Sequence, residues 1–193
     1  MTSGATGLQC LICNVVGLVG RYSTAFTLGW ETILHAGSDL SRRWTKEGVR
    51  LRARPESYLA PFFVDTGLLE DAERVDTAVF EIAFIDGALS LQSEFGLART
   101  RLPDADPTFT AVYVFASYAL TGERRRYAER TGTIGRIQPK RELGSGSGGL
   151  GAFEIAFRFS HIDLNDEQVT GGELTDLSFA FNWYPTHGES SHR

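Results

Sequence analysis

Alternation of apolar and polar residues with a period of two constrains this chain more than any other feature. In Gly151 to Ser160, the residues Phe153, Ile155, Phe157 and Phe159 share one face, and Glu154, Arg158 and Ser160 share the other. Only an extended strand separates them this way, because its successive side chains point to opposite sides. Asp176 to Tyr184 repeats the pattern, with Leu177, Phe179, Phe181 and Trp183 set against Ser178, Ala180 and Asn182. The Asp-, Asn- and Gly-rich stretch between them, Asp163 to Thr175, predicts a hairpin connection.

The same period runs upstream. Ala88 to Leu97 sets Leu89, Leu91, Phe95 and Leu97 against Ser90, Gln92 and Glu94, and Asp86-Gly87, a favoured hairpin dipeptide, separates it from Val79 to Ile85. Phe109 to Leu120 predicts a long strand with two apolar faces. Leu8 to Gly20, Tyr22 to Leu28, Trp30 to Leu40 and Val49 to Arg54 bring the expectation to about eight strands. Helical spacing occurs only in Thr66 to Thr77, through Leu68, Leu69, Ala72 and Val75, and predicts a turn of helix within a loop. The chain therefore reads as all-β. Thr121 to Leu150, with its glycine-serine run from Gly144 to Gly149, is far longer than a hairpin loop, and loops of that length usually carry function or disorder.

Two all-β classes fit: a soluble sandwich or barrel that binds a ligand, and an antiparallel transmembrane β-barrel. The second turns its apolar face outward, uses strands of ~9 to 11 residues and places aromatic residues near strand ends. Strand lengths, with Trp30, Trp183 and Tyr184 near strand termini, lean towards the membrane barrel. No segment has the ~18 to 20 uninterrupted apolar residues of a membrane-spanning helix. Leu8 to Gly20 has the length of a signal-peptide core, but Met1 to Gly7 holds no Lys or Arg, so a working export signal is not expected. Residues 1–20 are left as an unassigned apolar segment, and residues 21–193 as one β-domain.

Net charge is -5, with 19 basic residues against 24 carboxylates, which gives no general attraction to nucleic acid or anionic lipid. Any anion site must be local. The densest basic stretch holds Arg42, Arg43, Lys46, Arg50, Arg52 and Arg54 against Glu47 alone. Arg50, Arg52 and Arg54 alternate with Val49, Leu51 and Ala53, so an extended chain projects their guanidinium groups from one face at intervals of ~6.6 to 7 Å. Arginine forks grip phosphate oxygens bidentately and hold their charge at any working pH. Such a row serves either as successive weak anion sites in a wet channel or as a solvated face paired with carboxylates of neighbouring strands, with Glu56 placed to pair with one of them.

A second cluster, Arg124, Arg125, Arg126, Arg130, Arg136, Lys140 and Arg141, lies in the long connection and is expected to keep it solvated. Cys10 and Cys13 have CxxC spacing without a second pair and read as small apolar residues. Asp163, Asn165 and Asp166 near Gly171-Gly172 lack the spacing of a calcium-binding EF-hand loop. His35 and His161 have no ligand-spaced neighbours, and no Ser, His and Asp arrangement emerges. Neither an enzyme active site, nor a metal, nor a cofactor is expected.

Several stretches resemble the phosphate-selective porin O and P family of bacterial outer-membrane proteins. They are ILHAG (Ile33 to Gly37), RLRARPESYLAPFFVDTG (Arg50 to Gly67), SLQSEF (Ser90 to Phe95), YVFASYALTGERRRYAERTGTIGRIQPKR (Tyr113 to Arg141) and GAFEIAFRFSHIDLNDEQVTGGELTDLSFAFNWY (Gly151 to Tyr184). The resemblance implies a sixteen-stranded, usually trimeric barrel in outer-membrane lipid, whose arginine-lined lumen passes phosphate or similar small anions without a cofactor. Of the functional residues it carries over Arg50, Arg52 and Arg54 as the anion pathway. A sixteen-strand barrel needs ~400 residues, so the expectation is a partial barrel of about eight strands. Such a chain closes as an eight-strand barrel with an interior just wide enough for side chains, assembles from several copies, or is a truncated copy without transport.

Overall fold

A computed structural model of the protein describes residues 9–11, 16–56, 59–145 and 148–186. Its strands are β1 (Gln9–Leu11), β2 (Val16–Leu28), β3 (Thr32–Trp44), β4 (Arg50–Ala53), β5 (Val64–Asp65), β6 (Arg74–Asp86), β7 (Leu89–Arg101), β8 (Thr108–Ala119), β9 (Arg125–Ala128), β10 (Thr133–Ile137), β11 (Ala152–Asp166) and β12 (Val169–Tyr184). The seven long ones form a single sheet in the order β12-β11-β8-β7-β6-β3-β2, every pair antiparallel. Each wall strand thus pairs with the wall strands before and after it in the chain, an up-and-down meander.

Register fixes what each face carries. One row across all seven strands reads Phe26, Leu34, Phe84, Leu91, Ala116, Phe157 and Phe179. This outer face also carries Tyr22, Phe80, Ile82, Phe95, Ile155, Leu177 and Phe181, and it is open: Phe179 is 79% exposed and Leu177 61%. The opposite, inner face carries Arg21, His35, Asp39, Glu81, Glu94, Glu154, Arg158 and Asn182, of which Glu154 and His35 are buried. Polarity is therefore inverted relative to a soluble sandwich, which would pack the phenylalanines inward. The apolar band from Leu89 to Leu97 on β7 extends ~27 Å along the strand, or ~20 Å after the usual tilt, close to the ~25 Å apolar belt of an outer-membrane barrel.

Two connections cover the inner face. Residues 45–73, between β3 and β6, hold β4 and β5 and bury Val49, Leu51, Ala53, Val64 and Ala72 in a core with the wall residues Val75, Ala98, Phe109, Ala111, Ile162, Leu164 and Val169. At the other end of the sheet, residues 120–151 hold the β9–β10 hairpin and pack Ile137 against Ala119 and Ala152. Both cores lie between the wall and these connections.

Several sequence expectations change. Val49 to Arg54 is extended, as β4, but it pairs with β1 and β5 and stands apart from the wall sheet. Thr66 to Thr77 forms no helix: Val75 belongs to β6, and Leu69 is tied to Val49 by an isolated bridge. Tertiary pairing with β4 consumes the amides a helix would have used. Asp163 to Thr175 is mostly strand, because β11 and β12 continue to a tight turn at Glu167, which has a φ of 51°. Side-chain bonds from Asn165 and Asp163 satisfy the polar positions there. β2 runs unbroken through residue 20. Cys13 and residues 1–8 lie outside the described residues.

Candidate anion pathway

The in-folded segment is built by a few local devices. At its entrance the Glu47 amide donates to Thr45 Oγ1 at 3.1 Å. Gly48 follows with a φ of 79°, and a Cβ there would sit 2.6 Å from the Leu69 carbonyl oxygen. Only glycine lets the chain reverse against its own return strand at that distance. The return is then locked by Thr66, whose amide donates to the Leu51 carbonyl at 2.9 Å and whose hydroxyl accepts from the Leu51 amide at 3.0 Å.

The wall makes room through Gly171-Gly172 of β12. A Cβ on Gly171 would come within 2.7 Å of Leu164 and 3.2 Å of Thr66 Cγ2, and one on Gly172 within 3.2 Å of Val64. The glycine pair, read from sequence as hairpin punctuation, is the notch that admits the segment.

Because Val49, Leu51 and Ala53 enter the core, the alternating arginines are turned away from the wall. Arg50 grips Asp65 with Nε at 2.8 and 3.1 Å and Nη2 at 2.5 Å. The hydrogen bonds from Arg50 hold the Asp65 carboxyl below the ordinary carboxylate range, aided by the Gly67 amide and opposed by partial burial. Arg52 and Arg54 share one aromatic ring, their guanidinium carbons 3.8 and 4.2 Å from the centroid of Phe62. The three arginines are thus brought together but differ. Arg50 is bonded to a carboxylate, and the guanidinium groups of Arg52 and Arg54 both lie over the Phe62 ring. Phe62 gave no sequence signal beyond lying on the stretch that returns from Pro55 to β5.

Glu56 reaches across to the wall. Its carboxylate forms an ion pair with Arg158 of β11, Oε1 to Nε 2.7 Å, and that guanidinium lies 4.1 Å from the Tyr113 ring centroid. This contact staples the segment to the wall. The inner face beyond it is a network of charged pairs. Arg21 bridges Asp39 at 2.7 Å and Glu81 at 2.5 Å, and Glu81 also meets His35 Nε2 at 3.0 Å. His35 Nδ1 bonds the Tyr127 hydroxyl of β9 at 2.7 Å, so the histidine fastens the second connection.

The second basic cluster divides. Arg125 turns inward onto the fully buried Glu154 at 2.5 Å, which also accepts from Asn182 at 3.0 Å and Tyr184 at 2.7 Å. Lys140 donates to the Gly122 carbonyl at 2.6 Å. Arg126, Arg130, Arg136 and Arg141 are exposed. Among the described residues no group of three or more His, Cys, Asp or Glu side chains could hold a metal ion.

Comparison with known proteins agrees with this architecture. An uncharacterized protein of Caulobacter vibrioides is 34% identical over 178 residues, which cover 89% of this chain and 35% of the relative. The chain therefore spans about a third of that relative's length. A family model described as phosphate-selective porin O and P matches residues 20–192. With its antiparallel all-β wall and nearly full-length match, the chain belongs to the phosphate-selective porin O and P family.

Proposed function

We propose that this chain forms part of an outer-membrane channel wall through which phosphate or similar small anions diffuse passively, selected by Arg50, Arg52 and Arg54. The observation that carries the reading is the inversion of polarity. An exposed aromatic belt covers one face, and an arginine-bearing segment is folded over the charged other face. An apolar outward face is stable in lipid, and a charged inner face is stable only around water.

Selection is electrostatic and involves no catalysis. Arg50, Arg52 and Arg54 together supply the local positive field, and the bonds from Arg50 to Asp65 also hold the segment's shape. Weak, closely spaced guanidinium sites let an anion leave one as it reaches the next. Among the described residues β2 and β12 each have a single neighbour in the sheet. An open edge in lipid leaves each unpaired amide or carbonyl at a cost of several kcal/mol. The wall is accordingly completed by further strands, from the same polypeptide or from other copies in a homo-oligomer.

The test is planar-bilayer reversal potentials in asymmetric phosphate and chloride, comparing the wild type with a triple Arg50→Ala, Arg52→Ala, Arg54→Ala variant. Anion-over-cation preference should fall in the variant. Unchanged reversal potentials would remove the arginines from the pathway.

A further inference from the structure

Arg52 of β4 and Arg54, just past its end, leave the backbone on the same side, ~6.6 to 7 Å apart. Two like charges on long flexible stems repel, so the strand by itself does not hold their guanidinium groups together. Phe62 does: both guanidinium carbons lie over its ring, 3.8 and 4.2 Å from the centroid. Sharing one ring caps their separation, because neither group can move off without giving up the contact.

The fold puts the ring there by a local departure from alternation. Val64 pairs with Ala53 and both enter the core. Strict alternation would send Phe62 after Val64 into the same core. The chain bends at Phe63, whose amide donates to the Ala53 carbonyl at 3.0 Å, and Phe62 stays partly exposed beside the arginines. The neighbouring carboxylates are engaged elsewhere. Asp65 is opposite Arg52 in register, but it accepts from Arg50 and from the Gly67 amide, and Glu56 is paired with Arg158. A carboxylate in place of Phe62 would also hold two guanidinium groups, but it would add an acceptor that competes with an incoming anion. A phenyl ring holds them through its π face and brings no oxygen.

Two guanidinium groups at a capped separation distinguish anions by shape. A tetrahedral oxyanion presents oxygens in several directions and accepts from both groups at once, at the ~2.7 to 2.9 Å of charge-assisted bonds. Chloride is a single spherical acceptor. We propose that Phe62 is a positioning residue that makes Arg52 and Arg54 one bridging site for a tetrahedral oxyanion, so that the ring sets preference among anions while the arginines set preference for anions over cations. The inference rests on Arg50, Arg52 and Arg54 being the anion pathway.

Anion protection against phenylglyoxal tests it, with the full chain folded in neutral detergent micelles and each arginine read by tandem mass spectrometry. Sodium phosphate should protect Arg52 and Arg54 of the wild type at lower concentration than sodium chloride of equal ionic strength. In Phe62→Leu the half-protecting phosphate concentration at these residues should rise about fivefold, the equilibrium equivalent of one exposed cation–π contact. Chloride protection and the modification rate of Arg50 should not change. Phe62→Met should behave like Phe62→Leu, and Phe62→Tyr, which keeps a ring, like the wild type. Equal protection of the wild type by the two salts would overturn the inference. Wild-type phosphate protection in Phe62→Leu or Phe62→Met would do the same and leave the anion pathway standing. A shift at Arg50 as large as at Arg52 and Arg54 would also overturn it, because the ring would then only hold the segment folded. Absence of phosphate protection at all three arginines, with unchanged reversal potentials in the triple-alanine variant, would remove the pathway itself.

Discussion

Leu51→Ala should release the in-folded segment without dismantling the wall. Leu51 is 1% exposed and sits between Val64 of its own segment and the wall residues of the larger core. Truncating a buried leucine costs about 2 to 5 kcal/mol, depending on how far the site collapses. Here the notch glycines Gly171 and Gly172 offer no side chain to fill the space. A mid-range cost of about 3 kcal/mol falls on docking of the segment and raises its undocked population roughly 150-fold. Trypsin reads that population, because Arg50 and Arg52 lie within the segment while Arg54 is shielded by Pro55. In detergent micelles the cleavage rate at Arg50 and Arg52 should rise by about that factor, and the undocked segment should widen the conductance. Leu59→Ala in the same segment is the control, since Leu59 is 97% exposed and should leave both readouts unchanged. Cleavage of Leu51→Ala at the wild-type rate would refute the reasoning, because the segment would then be held by something other than this core.

Three further outcomes follow from the same geometry. Phe179→Arg, on the outer face at 79% exposure, should reduce folding into vesicles by about 2 to 4 kcal/mol if that face meets lipid near the bilayer midplane, and be nearly neutral if it meets water; urea titration of vesicle-folded protein distinguishes the two. The Asp65 carboxyl lies below its ordinary range because Arg50 bonds its charged form, so its contribution is fully present above the unfolded value near ~4 and is lost as pH falls through the lower folded value; tryptic sensitivity of pH-pulsed samples should rise only under strong acid, and Asp65→Asn should be sensitive already at neutral pH. Glu154→Ala strips the partner from Arg125 at a buried site and should cost about 3 to 5 kcal/mol, seen as a lower temperature for loss of heat-modifiable gel mobility.

The period of two settled the strand composition and even the faces, because in a strand every second residue must point the same way. Phe153 to Phe159 and Leu177 to Trp183 pair register for register, as their patterns required. Asp86-Gly87 is the β6–β7 turn, with Gly87 at a φ of 52°. The family was also legible, since its segments lie in the chain as contiguous motifs. What a strand pattern cannot say is which neighbours a strand takes. Val49 to Arg54 alternates as well as any wall strand, yet its apolar half is spent on a core inside the sheet, which is why the arginines face away from the wall. Their partners were equally hidden. Asp65 lies fifteen residues from Arg50, Phe62 comes from the returning stretch, and the carboxylate that Glu56 could have represented is taken by Arg158, about a hundred residues away. Local spacing fixes the direction of a side chain relative to its own strand. Only the long-range fold, through the notch at Gly171-Gly172 and the buried face of β4, decides what that side chain meets.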